Sequence, residues 1–339
     1  MDLAALLERQ GWILADGATA TNLFNEGLEA GEAPELWNTE QPTRVTKLYT
    51  DAVNAGAQLF LTNSFGSNRA RLKLHDASHR SHELSRVAAM LAREVADGSA
   101  SDCIVAGSMG PTGELMAPMG DLTHSLAVEL FHEQANGLAA GGVDVLWIET
   151  MSAEEEFLAA VEACRLVDIP WCGTMSFDTA GRTMMGITPA RLVELASTAS
   201  PEPVAFGANC GSGISDLMNA LLEICARDPR RPVIAKGNAG IPTYVDGRIH
   251  YAGSPEVMAD YAEMARNAGA SIIGGCCGTS PAHLARMRER LETATIGPPP
   301  ELDEIVLRLG PLSYAAQSGG ARRRTRRRRR RASSRQTGR

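Results

Sequence analysis

Three cysteines carry the strongest chemical signal in this chain of 339 residues. Two are adjacent, Cys276 and Cys277 in GGCCGTSP (274–281), and the third, Cys210, closes the run PVAFGANC (203–210). Adjacent cysteines bond poorly to each other because the small ring strains the disulfide. The chain also holds no CxxC pair of the redox type. Their spacing misses the gap of two to four residues found in zinc fingers. Three thiolates together can hold Zn²⁺ and leave a fourth tetrahedral position open to water or substrate, which marks a catalytic site. Gly274, Gly275 and Gly278 suit that role, since two consecutive residues must aim sulfur at one ion. The alternative is three small residues packed in Gly-rich loops.

The elements that position these residues repeat along the chain. Apolar runs occur at 12–17, 58–64, 103–110, 144–150, 170–176, 203–210, 232–238 and 270–277. Between them, apolar residues recur at helical spacing over 43–55, 83–97, 127–140, 153–166, 214–226 and 255–267. Ser152 with Glu155, and Ser254 before Pro255, read as helix starts. Continuous apolar runs imply strands covered on both faces, hence a parallel sheet. Eight such units predict an α/β fold of the (β/α)8 TIM barrel class, whose active site lies where the strands end. An open doubly wound sheet is the runner-up, but no GxGxxG follows the first strand.

What ends each strand is then the informative list. Asp16, Asn63, Ser108, Glu149 and Ser176 end the first five, and Asn209-Cys210, Asn238 and Cys276-Cys277 end the last three. A barrel brings them to one rim. Asp16 and Glu149 read as holders of a substrate ammonium group, with helix caps as the alternative. Asn63, Ser108, Asn209 and Asn238 are candidate substrate-binding residues. Trp37, in APELWNTEQP, reads as half-buried beneath the first loop or as facing a cationic ligand. His75, His79 and His82 read as a solvated face, and Cys103, Cys164, Cys172 and Cys225 as core or ordinary surface.

Composition bounds the rest. Hydrophobic residues make up 44%, ordinary for a soluble protein, and no apolar run reaches the roughly 18 residues of a membrane span. The N-terminus lacks the basic region of a signal peptide, so a cytoplasmic protein with free or metal-bound cysteines is expected, with no membrane insertion. The net charge of −7 hides two objects. Residues 315–339 hold 11 of the 33 basic residues and no acid, leaving 22 against 40 acidic ones, a body at −18. That body argues against a nucleic-acid surface on the fold itself. The expected organisation is a barrel over 1–296, a Pro-rich break and short segment over 297–314, and a disordered basic tail over 315–339. The tail either stays solvated or grips nucleic acid, an anionic surface or an acidic protein partner.

LADGATATNL, WIET, GANCGSG and GGCCGTSP, in this order over roughly residues 10–295, resemble the homocysteine S-methyltransferase family. The resemblance implies a (β/α)8 barrel with zinc on Cys210, Cys276 and Cys277, and the homocysteine amino group on Asp16 and Glu149. It implies methyl transfer from a donor to homocysteine, giving methionine. Family donors are glycine betaine, S-methylmethionine or another sulfonium, and a methyl-corrinoid. Thr150 stands where mammalian-type betaine enzymes carry tyrosine. Betaine, yielding dimethylglycine, is the expected donor, with the sulfonium or a separate methyl-corrinoid protein as alternatives. A non-catalytic zinc-binding or corrinoid-partner module is the reading from another class.

Overall fold

The computed structural model describes residues 1–245 and 248–313. Its eight-stranded ring is made of β1 (Ile13–Leu14), β2 (Leu59–Leu61), β3 (Ile104–Met109), β4 (Val145–Met151), β5 (Trp171–Met175), β6 (Ala205–Cys210), β7 (Val233–Gly237) and β10 (Ala270–Gly275). Neighbours run parallel in the order β1-β10-β7-β6-β5-β4-β3-β2. The ring closes through a parallel bridge, Ala15 to Leu59, with Gln58 N donating to Leu14 O and Asp16 N to Leu59 O, both at 2.8 Å. This is the expected barrel, and every expected strand is present. The hairpin of β8 (Pro242–Val245) and β9 (Arg248–Tyr251) is inserted after β7.

Each barrel strand is followed by a helix that covers its outer face. Six lie where apolar spacing predicts them, at Pro42–Asn54, Ser81–Gly98, His124–Gly141, Glu154–Val167, Ile214–Arg227 and Pro255–Ala268; Pro189–Thr198 and Pro281–Thr293 complete the set. Ser254 caps its helix by accepting from Val257 N. Ser152 does not: Ala153 takes the cap position and the helix begins at Glu154.

The two-residue period of the strands sorts the interior by height. At the N-terminal end Ile13, Leu59, Ile104, Val145, Cys172, Ala205, Ile234 and Ile272 form one buried cluster, sealed by Leu3, Leu6 and Leu7 of helix Leu3–Gln10. Two or four residues further along the same strands, the same parity presents Asn63, Ser108, Glu149, Asn209 and Lys236. The apolar floor therefore holds the polar mouth in register.

Past the barrel, helix Leu302–Leu309 buries Ile305, and its Arg308 reaches Asp260 at 2.9 Å and Glu263 at 3.3 Å. Among the described residues no helix is long and apolar enough to cross a membrane. The arginine-rich segment 315–339 lies outside the described residues.

Candidate active site

A cavity of about 370 Å³ opens at the C-terminal mouth of the barrel. Strand-end residues Asn63, Ser108, Glu149, Lys236, Cys210, Cys276 and Cys277 line it, together with Glu35, Phe65, Arg71 and His75 from the connections after β1 and β2. Its size falls in the range of small-molecule sites.

The three thiols converge, with their Sγ atoms all within 4.8 Å of one another. Tight backbone makes this possible. Cys210 sits at a left-handed φ of 60°, which costs a non-glycine residue conformational energy. A side chain on Gly275 would strike Thr279 at 2.2 Å, so only glycine lets the GGCCG loop fold back on itself. Asn238 ties the two cysteine loops together, donating from Nδ2 to Gly211 O at 2.7 Å and accepting at Oδ1 from Cys277 N at 3.0 Å.

Protons alone leave this cluster poorly satisfied. Hydrogen bonds from Cys210 and then Cys276 pull the Cys277 thiol down to about 3, with the Tyr251 hydroxyl adding to them. Bonding to Cys210 and Cys277, then burial, holds Cys276 well above the ordinary thiol value. One thiolate is thus stabilised at the expense of its neighbours. A soft divalent cation satisfies all three at once, and the donor set fits zinc.

Across the cavity Glu149 is buried, accepting from Ser108 Oγ at Oε1 and from Asn209 Nδ2 at Oε2, the latter at 3.3 Å. Burial pushes its carboxyl up to about 7, against the pull of Lys236 and Ser108. The strand is irregular here: register shifts between Ile148 and Met151, and Thr150 has a φ of 61°. Asn209 holds this bend, accepting from Thr150 N at 3.0 Å and donating to Thr150 Oγ1 at 2.8 Å.

The homocysteine S-methyltransferase family model matches residues 13–291. The chain belongs to the homocysteine S-methyltransferase family. It is 29% identical over 291 residues to methionine synthase of Mycobacterium tuberculosis and 29% identical over 293 residues to that of Mycobacterium leprae. In each case 80% of this chain aligns with 24% of the relative, so it spans about a quarter of their length. It is also similar in structure to the metallated form of the homocysteine methyltransferase MmuM from Escherichia coli, with a TM-score of 0.71 and 25% identity over 84% of this chain and 98% of that one.

Cys210, Cys276 and Cys277 are the residues that would hold the family's zinc. Apart from Asp16, which does not line the cavity, the other candidate substrate-binding residues fall into three groups. Asn63, Ser108 and Glu149 line the cavity. Asn209 and Asn238 are not among the residues lining it, and brace Glu149 and the cysteine loops instead. Trp37 does not line it; it is buried, with the Arg44 guanidinium 5.0 Å from its ring centroid, so the cation facing this indole belongs to the protein itself.

Asp16 has a partner that sequence reasoning missed. Lys236 Nζ bonds to Asp16 Oδ1, while Asp16 Oδ2 accepts from Leu61 N at 2.8 Å. Lys236 is buried, lines the cavity, and lies 6.0 Å from the Trp147 ring. Burial pushes Asp16 up and the lysine draws it back. The signal was available: a lysine inside the apolar run PVIAKGN must face something other than core. Glu35, Arg71 and His75 were missed because they lie on connections rather than strand ends. His75 lines the cavity where a solvated face was expected.

Proposed function

We propose that this protein methylates homocysteine at sulfur with a methyl group from a small onium donor, and that Glu149 holds the homocysteine ammonium. The observation that carries this reading is the placement of Glu149 and the three cysteines on one cavity. Zinc bound to the cysteines would lower the thiol pKa of homocysteine and fix its sulfur at the open position. The chain's own residues do the rest. Asp16, Glu149 and Lys236 together carry one net negative charge when ionised, and an arriving ammonium neutralises it. Ser108 and Asn209 hold the Glu149 oxygens for that contact. Such a site requires reduced thiols, which a reducing cytoplasm would maintain.

Glycine betaine is a donor of suitable size. A second reading, a sulfonium donor, is favoured by the walls. Among the described lining residues Phe65 is the one aryl ring, and the Arg71 guanidinium already sits 5.4 Å from its centroid. A quaternary ammonium is held best by open aromatic faces. The eleven arginines of 315–339 suit an acidic partner or anionic surface on charge alone.

The test is to incubate the zinc-loaded protein with homocysteine and betaine, S-methylmethionine or a methyl-corrinoid protein, and to measure methionine. Methionine from a small donor supports the reading. None from any donor would refute it.

A further inference from the structure

The loop that carries two of the three thiols has glycine on both sides, so its backbone must be fixed from outside. Its partners come from one short segment. Cys276 N donates to Gly237 O at 2.7 Å, Cys277 N donates to Asn238 Oδ1 at 3.0 Å, and Cys277 O accepts from Ala239 N at 2.9 Å. Asn238 also reaches the Cys210 loop, through Gly211 O. That segment is held in turn by the end of the β8–β9 hairpin, where Gly253 N donates to Ala239 O at 2.7 Å. A side chain on Gly253 would come within 2.5 Å of the Ala239 carbonyl carbon, so this contact needs glycine. Half-buried His283 completes the path. Its Nε2 lies 2.9 Å from Gly253 O, and its Nδ1 lies 3.1 Å from Ser280 N and 2.8 Å from Ser280 Oγ. Ser280 follows Cys277 by three positions.

A backbone carbonyl only accepts and a backbone N–H only donates, so this imidazole is neutral, with its proton on Nε2 and a bare Nδ1. The contacts form a closed circuit: Cys277 to Ala239, Ala239 to Gly253, Gly253 to His283, His283 to Ser280, and back along the chain to Cys277. We propose that His283 is a positioning residue of the metal centre, clamping the loop of Cys276 and Cys277 between the hairpin and its own helix so that both sulfurs face one ion. The inference rests on the zinc reading of the three cysteines. His283 acts through the loop backbone and is not among the residues that line the cavity. A glycine-rich loop left free would have to be ordered by the metal itself, and that conformational cost is subtracted from binding. The same ring completes a capping box at the start of helix Pro281–Thr293, by accepting from Ser280 N. A cap needs Nδ1 alone. The bond from Nε2 to Gly253 O is what distinguishes a clamp from a cap.

Competition with a chelator for Zn²⁺, measured on the full chain, tests the clamp without reference to catalysis. His283→Ala should bind zinc about tenfold more weakly than wild type at unchanged stoichiometry, the low end of what partners around a metal ligand contribute. His283→Gln places an N–H donor where Nε2 stood, and should recover most of the affinity. His283→Asn keeps an acceptor for Ser280 N but is too short to reach Gly253 O. It should recover the melting temperature of the metal-free chain and not the zinc affinity. The absorption bands of Co²⁺ bound in place of zinc report ligand geometry, and should shift in the Ala and Asn variants and return in Gln. Zinc affinity in His283→Ala equal to wild type, recovery by Asn as full as by Gln, or a Gln variant as weak as Ala overturns the clamp. If His283→Ala does not fold, the Asn and Gln variants decide alone, since each keeps a different bond. A wild type that takes up no zinc refutes the metal reading and the clamp together, whereas zinc uptake indifferent to His283 refutes the clamp alone.

Discussion

At the N-terminal end of the barrel, Ile13, Leu59, Ile104, Val145 and Ile272 fill the interior without a charged atom, and helix Leu3–Gln10 seals them. At the C-terminal end the same strands present Ser108, Glu149, Asn209 and Lys236 to a cavity or its immediate support, with left-handed backbone at Thr150 and Cys210. One end gains stability from burying hydrocarbon. The other gives some of it up by burying charge and bending strands. The division teaches that substitutions at the floor and at the mouth should separate cleanly, the first altering stability and the second altering ligand binding.

The largest expected effect is at the mouth. Cys277→Ser should weaken zinc binding by more than about a hundredfold, since even an outer partner of a metal ligand is worth 10–100-fold. Methionine formation should be lost while circular dichroism stays native. A variant that binds zinc normally would break the comparison at its functional end.

At the floor, Leu6→Ala removes a side chain that is buried in the sealing helix. It should cost about 2–5 kcal/mol of stability in chemical denaturation. Zinc stoichiometry and homocysteine affinity, measured on the folded fraction, should be unchanged. A loss of homocysteine affinity there would mean the two ends are coupled.

Glu149→Gln sharpens the comparison by moving function and stability in opposite directions. Homocysteine binding should weaken ten- to a hundredfold, as for a lost hydrogen bond to a charged group. The Glu149 carboxyl is raised from 4.5 to about 7, so the folded state holds its proton more tightly than the unfolded one. Its contribution to stability is therefore present below about 4.5 and lost as the pH rises through about 7. The Gln variant should melt higher than wild type near pH 8, and the gain should vanish in mild acid. An unchanged melting temperature at both pH values would show that the burial of Glu149 carries no cost.

The smallest effect belongs to neither end. Lys47 pairs with Asp51 at 2.6 Å and Glu26 at 3.0 Å, on a half-exposed outer helix. Lys47→Ala should change stability by less than about 1 kcal/mol and leave binding untouched.

The barrel was legible because a strand covered on both faces must be apolar throughout, and because the residue that breaks each run is the one that reaches the mouth. That logic brings Glu149, Ser108 and the three cysteines to one cavity. It misjudged residues whose role depends on a neighbour distant in sequence. Asp16 reads as a holder of a substrate ammonium or as a helix cap until Lys236, 220 positions away, is placed on it. Trp37 reads as half-buried beneath the first loop or as facing a cationic ligand; it is buried, and the cation at its ring is Arg44. Asn209 and Asn238 end strands like the others, yet their amides are spent on backbone and side-chain partners. The hairpin after β7 carried a signal of its own, Asp246-Gly247 between alternating residues. Glu35 and Arg71 had none, since nothing in a connecting segment marks which residues fold over a distant mouth.

Zinc K-edge X-ray absorption, recorded on the zinc-loaded protein before and after adding homocysteine, tests the central claim most directly. The account predicts three sulfur ligands at about 2.3 Å and a lighter fourth ligand in the free protein, and four sulfur ligands with homocysteine bound. A first shell that stays at three sulfurs in saturating homocysteine would contradict it.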